Sequence, residues 1–350
     1  MDKSDLVVVC GAGGFIGGHL VGRLRTLGYT TIRAIDCKPL SEWHQIFGDV
    51  DNQIKDLRLL SDCYLALQNS SYVFNLACDM GGMGFLSNNK AACMLSVLIN
   101  THLLMAARDL GVHRFFFASS AGVYNVTRQE CYDVIPLRES DVYPAMPEDG
   151  YGWEKLFSER MCRHFREDFG VNTRVARYHN IYGPYGDFDG GREKAPAAIC
   201  RKVAYAKLNG LAEIEVWGDG TQTRTFTYID DCIEGTIRLM TSDISEPMNI
   251  GSEELVSINQ LVDMVAKCAG IEIKKSYITN APRGVFGRNS DNSMIQSMLG
   301  WSPKIPLEEG LLKVYSFVEQ QILSSGTAFM GSSPSRLTLL VDSPKSPYSR

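Results

Sequence analysis

The chain is 350 residues long, 45% hydrophobic and 21% charged, with a formal net charge of −5; this excludes disordered, collagen-like and coiled-coil classes and argues against a dedicated nucleic-acid binder, which carries a basic surplus. No apolar run reads as the roughly 20-residue stretch of a membrane span, and MDKSD leads straight into a strand without signal-peptide architecture, so a soluble cytoplasmic protein is expected. Ten cysteines stand singly, with no CxxC pair and no histidine at ligand spacing, which predicts reduced thiols and no metal site.

Leu6 to Cys10 is a short apolar run of the kind that makes a strand buried on both faces. It stops at Gly11, and helical spacing continues to Leu27, where Gly28 closes the helix. Thr31 to Ile35 and Ser71 to Leu76 read as further strands, a long helix ends near Gly111, and His113 to Ala118 is strand again. Tyr151 to Phe169 is an amphipathic helix closed by Gly170, followed by a strand from Asn172 to Arg177. Strand and helix in alternation predict an α/β fold, a doubly wound parallel (Rossmann) sheet occupying 1–177. From Tyr178 the chain is rich in Gly, Pro and aromatic residues, as expected for a smaller substrate-binding lobe over 178–323, with returns to the main sheet near 225–250. A polar Ser/Pro tail covers 324–350.

Gly11, Gly14 and Gly17 of GAGGFIG join the first strand to the first helix, where missing side chains let backbone N–H groups approach a pyrophosphate. Phe15 and Ile16 lie in the same turn and are assigned to the cofactor with them, as is Asp56. Asp36, at the end of the second strand, is placed to accept both ribose hydroxyls and repel a 2′-phosphate, which favours NAD over NADP. Lys38, two residues on, is a cation that tolerates a phosphate.

Tyr151 and Lys155 form YxxxK, which puts both side chains on one helix face. A lysine cation beside a phenol favours tyrosinate, which can take a proton from a sugar hydroxyl as hydride leaves for NAD. The strand FFFASS delivers Ser119 and Ser120 to the sheet edge where ligands bind, so a hydroxyl there can reach the reacting oxygen.

GAGGFIG, Asp36, the serine strand, YGWEK and HNIYGPYG together resemble the extended short-chain dehydrogenase/reductase family over nearly the whole chain. Within it, DMGGMGF at 79–85, GPYGDFDGGREKAPAA at 183–198, WGDGTQTRTFTYIDD at 217–231 and GRNSDN at 287–292 are similar to the GDP-mannose 3,5-epimerase branch. The resemblance implies a homodimer that uses bound NAD to oxidise C4 of a GDP-hexose, with GDP-mannose the leading candidate. It then inverts the neighbouring centres through the ketone and reduces C4 again. It further implies sugar-nucleotide contacts from Gly81, Ser119, Ser120, Asn180, Glu193, Lys194, Ala195, Lys202, Gln222, Thr223, Arg224, Arg288 and Ser332, with Arg288 on the diphosphate.

A C4 ketone acidifies the hydrogens at C3 and C5, so inversion needs acid/base groups on opposite faces. In the family these are a cysteine and the lysine of GGREKAP. Lys194 is present, but Gly122 stands where the thiol is expected. Cys78, just ahead of DMGGMG, is a candidate substitute. Two alternatives stay open: a single inversion by Lys194 and solvent, and a 4-epimerase that needs no second acid/base. A dehydratase is disfavoured because Ala121 and Gly122 offer no acid beside Ser120. A non-catalytic nucleotide-binding homologue is disfavoured by the intact Tyr151, Lys155 and Lys194.

Overall fold

A computed structural model describes residues 1–281 and 284–325 of the chain. The expected substrate contact Ser332 lies outside the described residues. In the first half, β1 (Val7–Cys10), β2 (Ile32–Asp36), β3 (Asp51–Ile54), β4 (Tyr72–Asn75), β5 (Arg114–Ser120) and β6 (Thr173–Tyr178) alternate with helices. These are α1 (Phe15–Thr26), α2 (Leu60–Leu67), α3 (Met83–Asn88), α4 (Lys90–Leu95), α5 (Val97–Asp109) and α6 (Tyr151–Phe169). The second half adds strands β7 (Ile181–Tyr182), β8 (Glu213–Trp217), β9 (Thr223–Thr225), β10 (Thr227–Tyr228), β11 (Met248–Ile250), β12 (Leu255–Ser257), β13 (Lys274–Ile278) and β14 (Gly287–Arg288). Its helices are α7 (Ala195–Asn209), α8 (Ile229–Thr241), α9 (Ile258–Ala269), α10 (Ser293–Leu299) and α11 (Leu307–Ser324).

Seven strands form one parallel sheet in the order β11, β6, β5, β4, β1, β2, β3, the doubly wound architecture that the alternation predicts. A parallel sheet covered on both faces needs strands that are apolar on both, and every position of VVVC in β1 is buried. Alternation sends Val7, Val9 and Phe116 into one core, and Val8, Cys10, Phe115 and Phe117 into the other. The first core also takes in Cys200, Ile258 and Ile322, so the second half of the chain packs into the same interior.

Three small sheets complete the second half: β7 with β10, β8 with β13, and β9 between β12 and β14. Because the large sheet is parallel, the loops after β1, β2, β4, β5 and β6 emerge at one edge. One reading of composition needs correction. Lys90–Asp109, with mean hydropathy 1.4, is long and apolar enough by length and composition to cross a membrane. In the fold α5 packs on α2 and α6 and buries Leu103, Leu104, Ala106 and Ala107, so its apolarity serves the core.

Candidate active site

The turn from β1 to α1 is built where only glycine fits. Gly11 has φ +82°, and a Cβ there would lie 2.9 Å from the Ala77 nitrogen. A Cβ on Gly17 would stand 2.1 Å from the Gly11 carbonyl oxygen, so α1 starts pressed against the loop. Gly14 is the N-cap of α1 and contributes no side-chain cap. The first-turn N–H groups therefore lack side-chain partners, which makes this helix start a cradle for a diphosphate. At the end of β2, Asp36 accepts from the Gly13 N–H through Oδ2 and from the Lys38 N–H through Oδ1, each at 3.1 Å. Lys38 donates its ammonium to the Gly13 carbonyl at 2.8 Å, which commits to the loop the cation that had looked available to a phosphate. Arg58, 2.6 Å from Asp56, holds that carboxyl below its usual range. A bare glycine cradle and a ribose-facing carboxylate together fit a dinucleotide.

These residues form one end of a cavity of about 870 Å³, lined by Gly11, Gly14, Phe15, Ile16, Gly17, Asp36 and Asp56. Its other end is lined by Gly81, Ser120, Tyr151, Asn180, Lys194 and Arg288. Tyr151 opens α6, and Lys155, one turn on, is buried behind it. The Lys155 ammonium lies 3.6 Å from Glu154 Oε2 and 4.8 Å from the centre of the Phe117 ring. Burial by itself lowers the affinity of Lys155 for its proton, but Cys78, Glu154 and Tyr151 outweigh it and hold the cation. Burial drives the Tyr151 phenol pKa up, and Cys78 adds to the rise, while Lys155 and a hydrogen bond from Ser120 pull the other way. Burial thus opposes ionisation of the phenol, and the Lys155 cation stands where it stabilises the phenolate that a base at this position requires.

The two serines divide as strand alternation requires. The Ser120 hydroxyl accepts from the Gly122 N–H at 3.1 Å beside Tyr151. Ser119 also borders the cavity, but its hydroxyl donates to Glu159 Oε1 at 2.6 Å, and Glu159 pairs with Arg177 at 2.7 Å. Ser119, expected to contact substrate, thus lines the cavity while its hydroxyl is engaged in a buried network.

Lys194 is the N-cap of α7. Burial pushes its pKa down, Cys78 and Cys232 oppose the shift, and Arg288 reinforces it. Cys78 lies on the cavity wall against Lys155, and burial pushes its thiol up despite that cation. At Gly122 an added Cβ would meet Glu148 Oε2 at 3.1 Å, Tyr151 Cδ1 at 3.5 Å and Ser120 Oγ at 3.6 Å. Ala121 and Gly122 themselves offer no acid, but a carboxylate from elsewhere in the fold, Glu148, stands at the position a Gly122 side chain would occupy, near Ser120. Glu148 arrives from the loop before α6, and nothing in the local ASSAG pattern signals it.

Of the other expected substrate residues, Glu193, Ala195, Lys202, Gln222, Thr223 and Arg224 are not part of the cavity wall. Glu193 pairs with Arg201 at 3.2 Å and accepts from the Gly191 N–H. Ala195 starts α7 beside Pro196, which does line the cavity. Lys202 donates to the Glu215 carbonyl at 2.7 Å, Gln222 donates to the Trp217 carbonyl at 3.0 Å, and Thr223 donates to the Tyr132 carbonyl. Arg224 donates to the Val285 carbonyl at 2.6 Å, and burial, with Arg288 nearby, pushes it down to about 9. Arg288 does face the cavity, held by Glu148 at 2.8 Å and Gln129 at 2.7 Å. A second cavity of about 730 Å³, walled by Arg160, Arg163 and Arg166, contains none of the expected site residues.

Comparison with known proteins agrees with this geometry. The profile described as "NAD dependent epimerase/dehydratase family" matches residues 7–251. The chain is 44% identical over 317 residues to GDP-mannose 3,5-epimerase of Arabidopsis thaliana, covering 90% of this chain and 82% of that protein. It is 45% identical, with the same coverage, to GDP-mannose 3,5-epimerase 1 of Oryza sativa subsp. indica. Among solved structures, UDP-glucose 4-epimerase of Thermotoga maritima with UDP-glucose superposes with a TM-score of 0.80 at 25% identity, covering 91% of this chain and 99% of that one. UDP-glucuronic acid 4-epimerase of Bacillus cereus, in complex with UDP-glucuronic acid and NAD, gives 0.77 at 25%, covering 90% and 99%.

Proposed function

The chain belongs to the NAD dependent epimerase/dehydratase family, and on that premise we propose that it inverts C3 and C5 of GDP-mannose through a 4-ketone, using NAD. One observation carries this reading: Ser120, Tyr151 and Lys194 share the cavity that ends in the glycine cradle. Bound NAD supplies a hydride acceptor for C4 and a donor for its return. Tyr151 takes the C4 hydroxyl proton and later gives it back, with its phenolate held by Lys155 and the same oxygen steadied by Ser120. Lys194, brought toward neutrality by burial, exchanges a proton at the carbon next to the ketone. Likeness to the plant enzymes supports GDP-mannose as substrate.

The same reading places the enzyme in the cytosol, consistent with ten unpaired cysteines, and makes it a homodimer through the apolar outer faces of α5 and α6. Gly122 favours a second reading, a 4-epimerase, which needs no acid/base beyond Tyr151.

The test is incubation with GDP-mannose in D2O, following each ring carbon by NMR. Label at C3 and C5 with GDP-L-galactose and GDP-L-gulose is the expected result. GDP-talose without label at either carbon selects the 4-epimerase, and inertness sinks both readings. Tyr151→Phe is expected to slow turnover by about 10²–10⁴-fold.

A further inference from the structure

We propose that Glu148 is the acid/base partner of Lys194, filling the place of the side chain that Gly122 lacks; this deepens the epimerase reading and rests on it. A Cβ on Gly122 would point at Glu148 Oε2, Tyr151 Cδ1 and Ser120 Oγ, all within 3.6 Å. Ser120 and Tyr151 hold the C4 oxygen in the proposed reaction, so a group at that point lies next to the carbons adjoining C4. The carboxylate is half committed. Oε1 holds Arg288 at 2.8 Å, while Oε2 is turned to Gly122. The Glu148 side chain keeps 17% exposure, and Ser120, Tyr151 and Arg288 around it all face the cavity. Glycine is what makes this approach open, since any side chain at 122 would meet the carboxylate.

Lys194 comes from a different element, the start of α7, and lines the cavity, whereas Glu148 stands beside the cavity-lining Ser120, Tyr151 and Arg288, so the two groups come from separate parts of the fold. Once the C4 ketone exists, Glu148 removes the proton from the neighbouring carbon. That C–H bond breaks, and its electron pair passes into the enolate. The Lys194 ammonium delivers a proton to the other face as the ketone re-forms, leaving Glu148 protonated and Lys194 neutral. Exchange with solvent restores both, and no oxidant or reductant is consumed in the inversion.

Cys78 is the competing residue, and it is the weaker one. It sits against the Lys155 ammonium, and Phe85, Cys93 and Tyr151 pack around it. A thiol deprotonated there would lie beside the cation that Tyr151 relies on.

The test compares the wild type, Glu148→Gln, Glu148→Asp, Cys78→Ser and the double variant Gly122→Cys/Glu148→Gln, each with GDP-mannose in D2O. Exchange at C3 and C5 is read by NMR, and C4 oxidation by reduced-cofactor absorbance in a single turnover. Glutamine keeps an oxygen for Arg288 but cannot take a proton. Exchange is therefore expected to fall at least about 100-fold while C4 oxidation and KM stay within about threefold. Glu148→Asp retains a measurable share of exchange. The double variant regains exchange, with its pH profile moved toward the thiol range near about 8.5. Wild-type exchange that survives Glu148→Gln overturns the assignment and leaves the epimerase reading standing. A raised KM with unchanged exchange makes Glu148 only the holder of Arg288. Loss of exchange in Cys78→Ser but not in Glu148→Gln gives the role to Cys78, and a product that has lost water makes Glu148 a dehydratase acid. Any of these three results overturns the proposal. Absence of exchange in the wild type removes the double inversion and the role of Glu148 together.

Discussion

His179 shows how burial decides protonation at a single residue. It is wholly enclosed, bonded through Nε2 to Asn249 Oδ1 at 3.0 Å, and burial pushes its pKa down to about 3. The unfolded chain binds this proton near the ordinary value of about 6.5, so between roughly pH 6.5 and 3 the unfolded state holds more protons. Stability contributed by neutral His179 is therefore complete above pH 6.5 and drains away as the solution is acidified. Between pH 7 and 4.5 the loss is about 2–3 kcal/mol on its account. Urea midpoints at the two pH values are expected to converge in His179→Asn relative to the wild type, and an unchanged pH slope would rule the histidine out as the cause. Legibility at this scale follows spacing. Tyr151 and Lys155 could be paired from sequence because one helical turn fixes their relation, and Gly11 and Gly17 because a tight turn admits nothing else. Glu148 could not, since its meeting with Gly122 depends on how a loop folds back over β5. The two serines could have been separated by strand alternation alone: adjacent residues point to opposite faces, so only one hydroxyl could serve Tyr151.

Between elements, the tightest polar joint ties β5, β6 and α6. Glu159 on α6 accepts from Ser119 on β5 and takes two bonds from Arg177 on β6, at 2.9 and 2.7 Å, with every partner buried. Arg177 also donates to the Glu139 carbonyl at 2.8 Å, so the loop ahead of α6 is anchored to the same point. Removing one member leaves an uncompensated charge in the interior. Glu159→Ala is expected to cost about 3–5 kcal/mol in urea unfolding. Replacing Glu159 and Arg177 together by Met should recover most of it, and a double variant as unstable as the single one would show that packing, rather than the orphaned arginine, sets the cost. The joint matters to the site because it fixes the start of α6, where Tyr151 sits, against the end of β5, where Ser120 sits. Elements with strong periodicity were readable: the helix expected at Tyr151 to Phe169 has those limits in the structure. The long helix before Gly111 is instead broken at Ser96 into α4 and α5. β3, with sequence DNQI, carries no apolar signal because it is an edge strand with its ends exposed.

Across the whole molecule, local pattern identified the parallel sheet but not the way the second half closes on it. β11 is only three residues long and gains its place from pairing with β6, and two- and three-residue strands such as β7, β9 and β14 are defined by partners rather than by composition. The outer surface carries its own argument about assembly. Trp153 and Phe157 are exposed one turn apart on α6 at 43% and 52%, and Leu98 is exposed at 38% near the start of α5. α6 packs beside α5, so these side chains lie on neighbouring helices and form an apolar face with no cover from the rest of the described residues. Monomers rarely leave such a face in water, and in the proposed homodimer a second copy related by a two-fold axis would cover it with the same residues from the other side. Because α6 also carries Tyr151 and Lys155, docking there would stiffen the helix that positions the proposed catalytic pair. Phe157→Glu places a charge at the centre of that contact while leaving the inward face of α6 untouched. Light scattering coupled to size exclusion should then report a monomer in place of a dimer, with turnover per chain lowered through loss of support to α6. A variant that stays dimeric would move the interface elsewhere on the molecule, and a wild type that is already monomeric would remove it.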